Sequence, residues 1–543
     1  RFLKESLMGE GSRRLLSLFF FLLYLLPVLF PAELFREVLV GGVLILALYL
    51  LASPRVESLW RGESLLLLLP LGAALALSRT PLFFPLLFTL LFWVLLLLTS
   101  LYPSFRIPLG ELPRYLLPLL LFHVSYAFVH ALFLFPRNAE ALASLKGLNT
   151  DVGRMVLFQS HQIRLKSLFS LSTQFAGFLT VLLPFLLLWA LRRKRRWIGV
   201  SALVLFALTI ALAKSFGSLL EIGAVALVLF LFSSAERKTK EVVAVSSASL
   251  LFSGGLLISF FRSGELLNLS PLTLRMAHWR VALEEFLLAP LTGVGLGNFG
   301  PYSSLFLHSG DPRSKYAHNF FLQILAEGGL LLFLPLLIGL LLLLKRVKRG
   351  EKSPELLALL GSLAALLVYN LVDIGLFFAS MGFLAALLLG AFLTETSTRK
   401  PVLLSPLSRI GLALLLLISL PLLLSDQWGT EAKLFYPLDK AEAARKAEKA
   451  LSLVPFNTVA RSVECSSLQE RGEGVRALAC AERLLRDDPI SLTSYRVAVG
   501  VYGKEGRWWE VLRLLEEADR RYPDLGELKP LAESLGVDRK RTR

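Results

Sequence analysis

Residues 320–344 read FFLQILAEGGLLLFLPLLIGLLLLL, and a basic run, residues 345–349, follows directly. A helix needs about 20 predominantly apolar residues to cross the hydrocarbon core of a bilayer, which is about 30 Å thick. A single transmembrane segment must satisfy its backbone hydrogen bonds internally, so a run of this length crosses as a helix. The stretch therefore predicts a membrane-spanning helix that ends at a basic loop.

The rest of the chain repeats this pattern. Of the 543 residues, 55% are hydrophobic and only 18% are charged, with a mean hydropathy of +0.64, which is too apolar for a soluble enzyme. We expect an all-α, polytopic membrane helix bundle of about 12 or 13 transmembrane helices. The predicted spans are residues 15–31, 38–52, 64–78, 82–101, 113–135, 168–191, 198–213, 217–234, 242–261, 320–344, 355–377, 379–394 and 403–424.

The positive charge is concentrated at the ends of the apolar runs. The formal net charge is +17, but the cations do not follow one polar face, so membrane orientation explains them better than nucleic-acid binding does. Two predicted spans separate each basic cluster from the next, and cytoplasmic loops carry the excess of Lys and Arg, so all clusters are expected on the cytoplasmic side. The clusters are residues 192–196, 237–240, 345–349 and 399–400.

This parity orients the whole chain. The N-terminus is predicted to be cytoplasmic, and an odd number of spans puts the C-terminus on the other side. Residues 136–167, residues 262–319 and everything after Ser425 are then expected in the periplasm of a bacterium. The sequence thus predicts a multi-pass protein of the bacterial inner (cytoplasmic) membrane. Its transmembrane domain covers residues 1–424, with a large periplasmic loop at 262–319, and a periplasmic helical domain covers residues 425–543.

The C-terminal part has an internal repeat. Pro455, Pro489 and Pro523 recur at intervals of 34 residues, with small or apolar residues at helical spacing before each proline. This resembles about three tetratricopeptide repeats, an α-solenoid of stacked helix pairs. Such an array binds a protein or peptide partner on its concave face, or it only covers the membrane domain. Both interpretations remain open from the sequence.

Both cysteines of the chain, Cys465 and Cys480, lie on consecutive predicted helices of this tail. An oxidising compartment permits a disulfide between paired antiparallel helices. Small buried thiols fit the same positions equally well. The sequence alone leaves the pairing open.

The large outer loop, residues 262–319, carries the polar residues that suit chemistry. Residues 274–288, LRMAHWRVALEEFLL, predict a helix on the outer membrane surface, and the glycine-rich segment APLTGVGLGNFG follows at 289–300. The segment matches a dinucleotide-binding fingerprint, but that fingerprint requires a strand before it and a helix after it. Flexible backbone that lets a substrate approach is the better functional interpretation, and an ordinary tight turn is the alternative. Residues 315–329, KYAHNFFLQILAEGG, then lead into the tenth span.

These motifs together resemble the O-antigen ligase superfamily. The shared features are an arginine shortly before a tryptophan, the segment Pro-Leu-x-Gly-Val-Gly-x-Gly-Asn-Phe, and His-Asn before a helix with Glu and Gly. The resemblance covers roughly residues 207–344. It implies a metal-independent, inverting glycan transferase with no cofactor, which moves a glycan en bloc from an undecaprenyl-diphosphate carrier to an acceptor on the periplasmic face. The family includes the ligase that uses lipid A core as acceptor, O-antigen polymerases and bacterial protein O-oligosaccharyltransferases.

The resemblance also implies roles for particular residues. Arg275 matches the arginine that binds the donor diphosphate, and His318 matches the histidine that activates the acceptor hydroxyl. A guanidinium stabilises a leaving diphosphate bidentately, and a neutral imidazole accepts a proton near neutral pH. Further donor or substrate contacts are expected from Arg280, Lys214, Arg313, Lys315, Asn319, His161 and Arg164.

Two positions depart from the family pattern. Phe216, in the segment Lys214-Ser215-Phe216-Gly217, stands where the family has a second arginine, so Lys214 is expected to supply a point charge in its place. Leu332 stands where a second glycine is usual after Gly329, so packing there must differ.

Polar residues inside the spans leave other interpretations open. His123 and His130 lie seven residues apart on the fifth span and either line the site or form interhelical hydrogen bonds. Asn370 and Asp373 are costly in lipid and are expected to face the protein interior. A lipid or glycan transporter is the rival from a different class, but it predicts charged residues deep in both halves of the bundle, whereas here they concentrate at the outer surface. No group of His, Cys or carboxylate residues has metal-ligand spacing.

Overall fold

The computed structural model describes residues 10–29, 35–53, 55–62, 64, 81–135, 165–169, 171–232, 270–308, 314–347 and 352–522. The predicted span 64–78, apart from Ser64, and the predicted span 242–261 lie outside the described residues, as do the predicted site residues His161, Arg164 and Arg313. The chain forms two compact units. The first comprises residues 1–61, 95–269 and 343–409, and the second comprises residues 62–94, 270–342 and 410–543.

The described chain is helical apart from two short strands. The strands are β1, Glu57–Ser58, and β2, Val402–Leu403. The helices are α1 Glu10–Phe20, α2 Leu26–Leu29, α3 Phe35–Ala52, α4 Phe83–Phe105, α5 Leu112–Val129, α6 Ser172–Leu191, α7 Arg196–Ala213, α8 Phe216–Phe232, α9 Ser270–Leu288, α10 Phe299–Ser303, α11 Phe320–Arg346, α12 Pro354–Val372, α13 Ala379–Thr396, α14 Pro406–Phe435, α15 Lys440–Leu453, α16 Thr458–Glu470, α17 Gly474–Asp487, α18 Leu492–Lys504 and α19 Trp508–Arg521. Two π-helical turns, Phe21–Leu25 and His130–Leu134, continue α1 and α5, and 3₁₀ turns occur at Leu109–Glu111 and Gly375–Phe377.

The predicted class of an all-α, polytopic membrane protein is confirmed. Among the described residues, seven helices are long and apolar enough to cross a membrane, and four shorter apolar helices accompany them. Each lies within several residues of a predicted span because the same hydropathy that predicts the span makes the helix stable in lipid. The last of them, α14, is 30 residues long and continues to Phe435, so residue 425 falls inside a continuous helix.

Helix α6 forms the centre of the first unit. It is apolar on all sides, and its side chains are almost all buried, as expected for a helix surrounded by others. Helices α5, α7, α8 and α12 pack around it. Close approach is made possible by Gly177 on α6, which lies against the ring of Tyr369 on α12.

Polar side chains inside this unit have protein partners. His123 is fully buried on α5, with Nδ1 2.9 Å from the Ser167 hydroxyl and Nε2 3.0 Å from the Val28 carbonyl. Of the two interpretations of His123, the structure therefore supports hydrogen bonding between segments. Asn370 and Asp373 are 2% and 4% exposed, which confirms that they face the interior.

Several loops of the first unit meet at one end. Strand β1 pairs with β2 in antiparallel fashion, with Glu57 opposite Leu403. Arg106 donates to Glu57 at 3.0 Å, and Arg192 donates to Glu355. Glu355 also lies beside Gly110, in the segment after α4. The segments after α3, α4, α6, α11 and α13 are thereby joined, and the charge pattern assigns these loops to one side of the membrane.

The tail of the second unit is a row of helices that each pack on the next. The helices α15, α17 and α19 begin at Lys440, Gly474 and Trp508, which are 34 residues apart, and α16 and α18 keep the same interval. The periodicity of the sequence thus reappears in the helix boundaries. Assignment of these helices to the tetratricopeptide family stays a prediction.

A disulfide joins Cys465 on α16 to Cys480 on α17, with a Cα–Cα distance of 5.3 Å. It lies in the tail's larger apolar cluster, which also receives Leu305 from the segment between α10 and α11. The other tail cluster contains Ala432 at the end of α14. Hydrogen bonds from Asn457 to Ser425 fix the same junction.

Candidate functional site

Helix α9 presents one buried face to the rest of the second unit. His278, Val281, Ala282 and Glu285 are spaced three, four and seven residues apart, so they share one side of a helix with 3.6 residues per turn. All four are at most 5% exposed. The apolar pair packs in one cluster with Phe299 and with Ala317, which directly precedes His318.

His318 lies opposite this face, directly before α11. Its ring centroid is 5.4 Å from that of His278, and its Nε2 is 3.3 Å from the Ser314 hydroxyl. Its backbone is left-handed, with φ of 51°, a conformation that costs free energy in residues other than glycine. Asn319 follows and caps α11, because its Oδ1 accepts the Leu322 N–H at 3.0 Å.

A chain of hydrogen bonds connects the His318 loop to the interior of α11. The Ala317 N–H donates to Gln323 Oε1 at 2.6 Å, and Gln323 Nε2 donates to Glu327 Oε1 at 2.8 Å. The same carboxylate oxygen accepts the Phe299 N–H at 3.0 Å. Gln323 and Glu327 therefore hold both the backbone before His318 and the start of α10.

Helix α11 is broken at Gly329, where φ is 57° and ψ is −162°. The glycine-rich segment 289–297 docks on this break. The N–H groups of Val294 and Gly295 donate to the carbonyls of Ala326 and Glu327, and the Leu330 and Leu331 N–H groups donate to carbonyls of the segment, all at 2.8–3.0 Å. The break is tolerated in an apolar environment because the segment satisfies the freed backbone groups.

Two glycines allow this backbone-to-backbone contact. A Cβ on Gly293 would lie 2.2 Å from the carbonyl carbon of Glu327, and a Cβ on Gly329 would lie 2.5 Å from that of Leu291. Both also have positive φ, which favours glycine. The described contacts of the segment are thus with the protein itself. The packing at Leu332 is explained by Gly328, whose missing side chain leaves the room that Leu332 fills.

Glu285 is the most unusual group of the buried face. It is 0% exposed, and among the residues that the structure describes neither of its carboxylate oxygens has a hydrogen-bond partner. Burial, with a smaller contribution from the nearby Glu327 carboxyl, raises the pKa of Glu285 well above its usual range. The site therefore favours a neutral carboxylic acid at this position.

The arginines of α9 occupy different surroundings. Arg275 is half-buried and precedes His278 by three residues, so it lies one helical turn from the histidine that contacts His318. Arg280 joins α9 to the segment after α10: its guanidinium lies 2.9 Å from His308 Nδ1, donates to the Phe306 carbonyl at 3.2 Å and lies 3.6 Å from Glu284. The contact to a donor phosphate that was predicted for Arg280 stays a prediction.

The remaining predicted residues are distributed as follows. Lys315 is exposed, three residues before His318, and its backbone packs against Gly300. Lys214 belongs to the first unit, where it ends α7 in the left-handed conformation, with φ of 53° and ψ of 48°.

Sequence reasoning did not single out His278, Gln323 or Glu285. Helical spacing of polar residues among apolar ones was the available signal, since 278 and 285 are seven apart on α9, and 323 and 327 are four apart on α11. For residues 274–288 the sequence predicted only a helix on the outer membrane surface. Only the contacts show that His278 and Glu285 point inward.

The comparisons with known proteins bear on this part of the chain. A family model described as O-antigen ligase matches residues 168–337. No curated protein and no solved structure matches the chain. The matched range begins just before α6 and includes α9, the glycine-rich segment, His318 and the break in α11. The similarity to the O-antigen ligase family therefore covers residues 168–337 of the chain.

Proposed function

We propose that this protein transfers a glycan from a polyprenyl diphosphate, such as undecaprenyl diphosphate, to a hydroxyl of an acceptor at the periplasmic face of the bacterial inner membrane. In the leading form of the proposal the acceptor is lipid A core and the enzyme is an O-antigen ligase. One observation carries it: the ring contact between His278 and His318 brings the helix that bears Arg275 against the candidate base.

His318 is proposed as the general base. The Ser314 hydroxyl at 3.3 Å shows that a hydroxyl oxygen fits within hydrogen-bond reach of Nε2. In the reaction the acceptor oxygen attacks the anomeric carbon while its proton passes to the imidazole. The hydrogen bond from Ala317 to Gln323 orients the backbone that carries this ring.

Arg275 is proposed to bind the donor diphosphate. As the bond between the anomeric carbon and the phosphate oxygen breaks, its electron pair stays on the diphosphate, where negative charge accumulates. A guanidinium offers two parallel donors to such a group and remains charged at every physiological pH. A single displacement of this kind inverts the anomeric configuration. Lys315 and Asn319 lie close to His318 in the chain and are proposed as secondary substrate contacts. Lys214 is proposed as a further point charge.

The test is glycan transfer by purified protein with a defined polyprenyl-diphosphate donor. We expect His318→Ala to lower the transfer rate by about 100- to 10,000-fold, the usual contribution of a general base. The variant Arg275→Lys keeps the positive charge but loses the two parallel N–H donors of the guanidinium, whereas Arg275→Gln loses the charge as well. The lysine variant should therefore retain more activity than the glutamine variant. Full activity of the His318→Ala variant contradicts the mechanism.

A matched control for Arg275→Gln removes an arginine from a basic loop that is expected on the cytoplasmic side. Arg399 follows α13 and is exposed. The variant Arg399→Gln should transfer glycan at the parent rate. Each variant is first checked for an unchanged elution profile and circular dichroism spectrum, so that loss of activity is not loss of fold.

Product length separates ligation from polymerisation. Laddered growth of the lipid-linked glycan without an added acceptor identifies a polymerase, whereas one transfer per acceptor identifies a ligase.

Transfer to a protein is the other candidate, and one observation favours it: Leu305, from the segment between α10 and α11, packs against the helical tail. A tail that binds a protein would hold its acceptor beside the His318 loop.

A further inference from the structure

An elongated groove opens on the first unit, between α5, α6 and α7. Its cavity volume is about 670 Å³. The walls are apolar along most of their length and include Leu117, Leu121 and Leu205, of which Leu121 is 60% exposed and Leu205 is 40% exposed. Nothing in this groove belongs to the His318 site, which lies on α9 and α11.

Arginines stand at one end of the groove. Arg114 lies near the start of α5, and Arg192 and Arg193 follow the end of α6. The start of α5 and the end of α6 lie side by side here, so all three arginines line the same end of the groove. Arg193 stacks on the Trp189 ring at 4.3 Å, and all three arginines are exposed. Trp and Arg side chains at a helix end are typical of the membrane–water interface.

The depth of the groove matches one leaflet. Val124, at the far end, comes ten residues after Arg114 on α5, and Phe206 comes ten residues after the start of α7. On α7 the wall comprises only Ala202 to Phe206, whereas on α5 it runs from Arg114 to Val124, which at 1.5 Å per residue is about 15 Å. That equals half of the hydrocarbon core, which is about 30 Å thick. A molecule whose anionic head sits at the arginines would thus place a single acyl chain along the groove as far as the bilayer midplane.

We propose that this groove is a binding site for an anionic glycerophospholipid of the leaflet that borders Arg114, Arg192 and Arg193. The phosphate contacts the arginines, and one acyl chain lies between α5 and α7. Basic pockets between transmembrane helices favour such headgroups electrostatically. A polyprenyl diphosphate fits less well, because its chain is much longer than one leaflet is deep. The site is separate from the proposed donor site.

The test uses the full-length protein, purified in detergent and depleted of lipid, and measures bound lipid by native mass spectrometry. Phosphatidylglycerol is expected to bind at least tenfold more tightly than phosphatidylcholine. The double variant Arg114→Gln, Arg193→Gln should lose that preference. The matched control Lys194→Gln, Arg195→Gln removes the same number of charges from the loop that carries Arg193, at positions that do not line the groove, and should keep the preference. A third variant, Ala202→Trp, fills the groove and should weaken the binding of both lipids.

Other results overturn the proposal. Equal losses in the double variant and its control would mean that phosphatidylglycerol responds only to general surface charge. Competition by inorganic phosphate at concentrations similar to those of phosphatidylglycerol would mean that the acyl chain contributes nothing. Tighter binding of a polyprenyl diphosphate, lost in the same double variant, would assign the groove to that lipid instead. If the double variant fails to fold, unchanged lipid binding by Ala202→Trp still contradicts the proposal.

Discussion

At the scale of single residues, the site combines a strained histidine with a buried acid. The left-handed backbone of His318 persists because the bonds on either side of it, Ala317 to Gln323 and Leu322 to Asn319, satisfy the neighbouring backbone groups. Holding the ring in this way removes the need to order it when substrate binds. Such pre-organisation is what a base acting within hydrogen-bond distance requires.

The buried carboxyl of Glu285 makes the stability of the folded protein depend on pH. The pKa of Glu285 is raised in the folded protein by burial, so the folded state binds a proton that the unfolded state has released above its own pKa of about 4.5. Stability therefore falls as pH rises through that value and stops falling above the folded pKa. The slope contributed by one such group is at most about 1.4 kcal/mol per pH unit.

Substituting Glu285→Gln should remove this contribution, because an amide stays neutral at every pH. We expect the variant to show a higher apparent unfolding temperature than the parent at pH 8 and a similar one at pH 4. The measurement is a thermal unfolding series in detergent over that range. Glu516→Gln, at an exposed carboxylate of the tail, is the control and should leave the pH profile unchanged. A parent and a Glu285→Gln variant with parallel profiles would show that Glu285 is not the buried acid inferred.

At the scale of elements, hydropathy predicted which segments are helices but not how they are interrupted. The predicted span 320–344 became α11, yet the break at Gly329 inside it could not be foreseen, because an apolar run has the same hydropathy whether its backbone is continuous or broken. The continuation of α14 to Phe435 could not be predicted from hydropathy either. Hydropathy marks where an apolar run ends, but charged residues beyond that point are good helix formers in water and can extend the helix.

The sequence predicted only part of the candidate site. The motif around His318 and the arginine on α9 stand out in the sequence, and the structure brings their elements together. The partners of His318 do not stand out, because Gln323 is one polar residue at the start of an apolar helix. Its importance comes from a contact with Ala317 that depends on how the loop folds back.

Gln323 is therefore predicted to be a positioning residue. In Gln323→Leu the buried Ala317 N–H loses its acceptor, which costs about 1–3 kcal/mol of stability. A shift of His318 by about 1 Å lowers catalysis by up to about 100-fold. We expect kcat to fall with little change in KM for the donor, because Gln323 touches the loop rather than the substrate.

The comparison that decides this prediction is with Gln469→Leu. Gln469 on α16 donates to the Gly500 carbonyl on α18 at 2.6 Å, so it joins two helices of the tail, and its loss should affect stability without affecting kcat. If both variants lose stability equally and neither changes kcat, Gln323 is only a structural residue. A rise in KM without loss of kcat would also contradict the positioning role.

At the scale of the whole molecule, the contacts of the first unit constrain the topology. The β1–β2 pairing and the bond from Arg192 to Glu355 require the connected loops to share one end of the unit. Positive residues are abundant in the same loops, so this end is expected to be cytoplasmic. The disulfide between Cys465 and Cys480 favours an oxidising compartment for the tail, and hence the opposite side.

Site-directed labelling with a membrane-impermeant maleimide tests this arrangement, because both native cysteines are joined in the disulfide. The reporters are Lys194→Cys and Thr398→Cys in two loops of the first unit, and Val475→Cys in the tail, where the side chain is 84% exposed. In cells with a permeabilised outer membrane, only the tail reporter should react. The two loop reporters should react only after the inner membrane is opened. Reaction of all three before that step would put the tail and the basic loops on one side. In that case α14 would not cross the membrane between the basic loops and the tail. The topology would then no longer support the periplasmic location proposed for the His318 site.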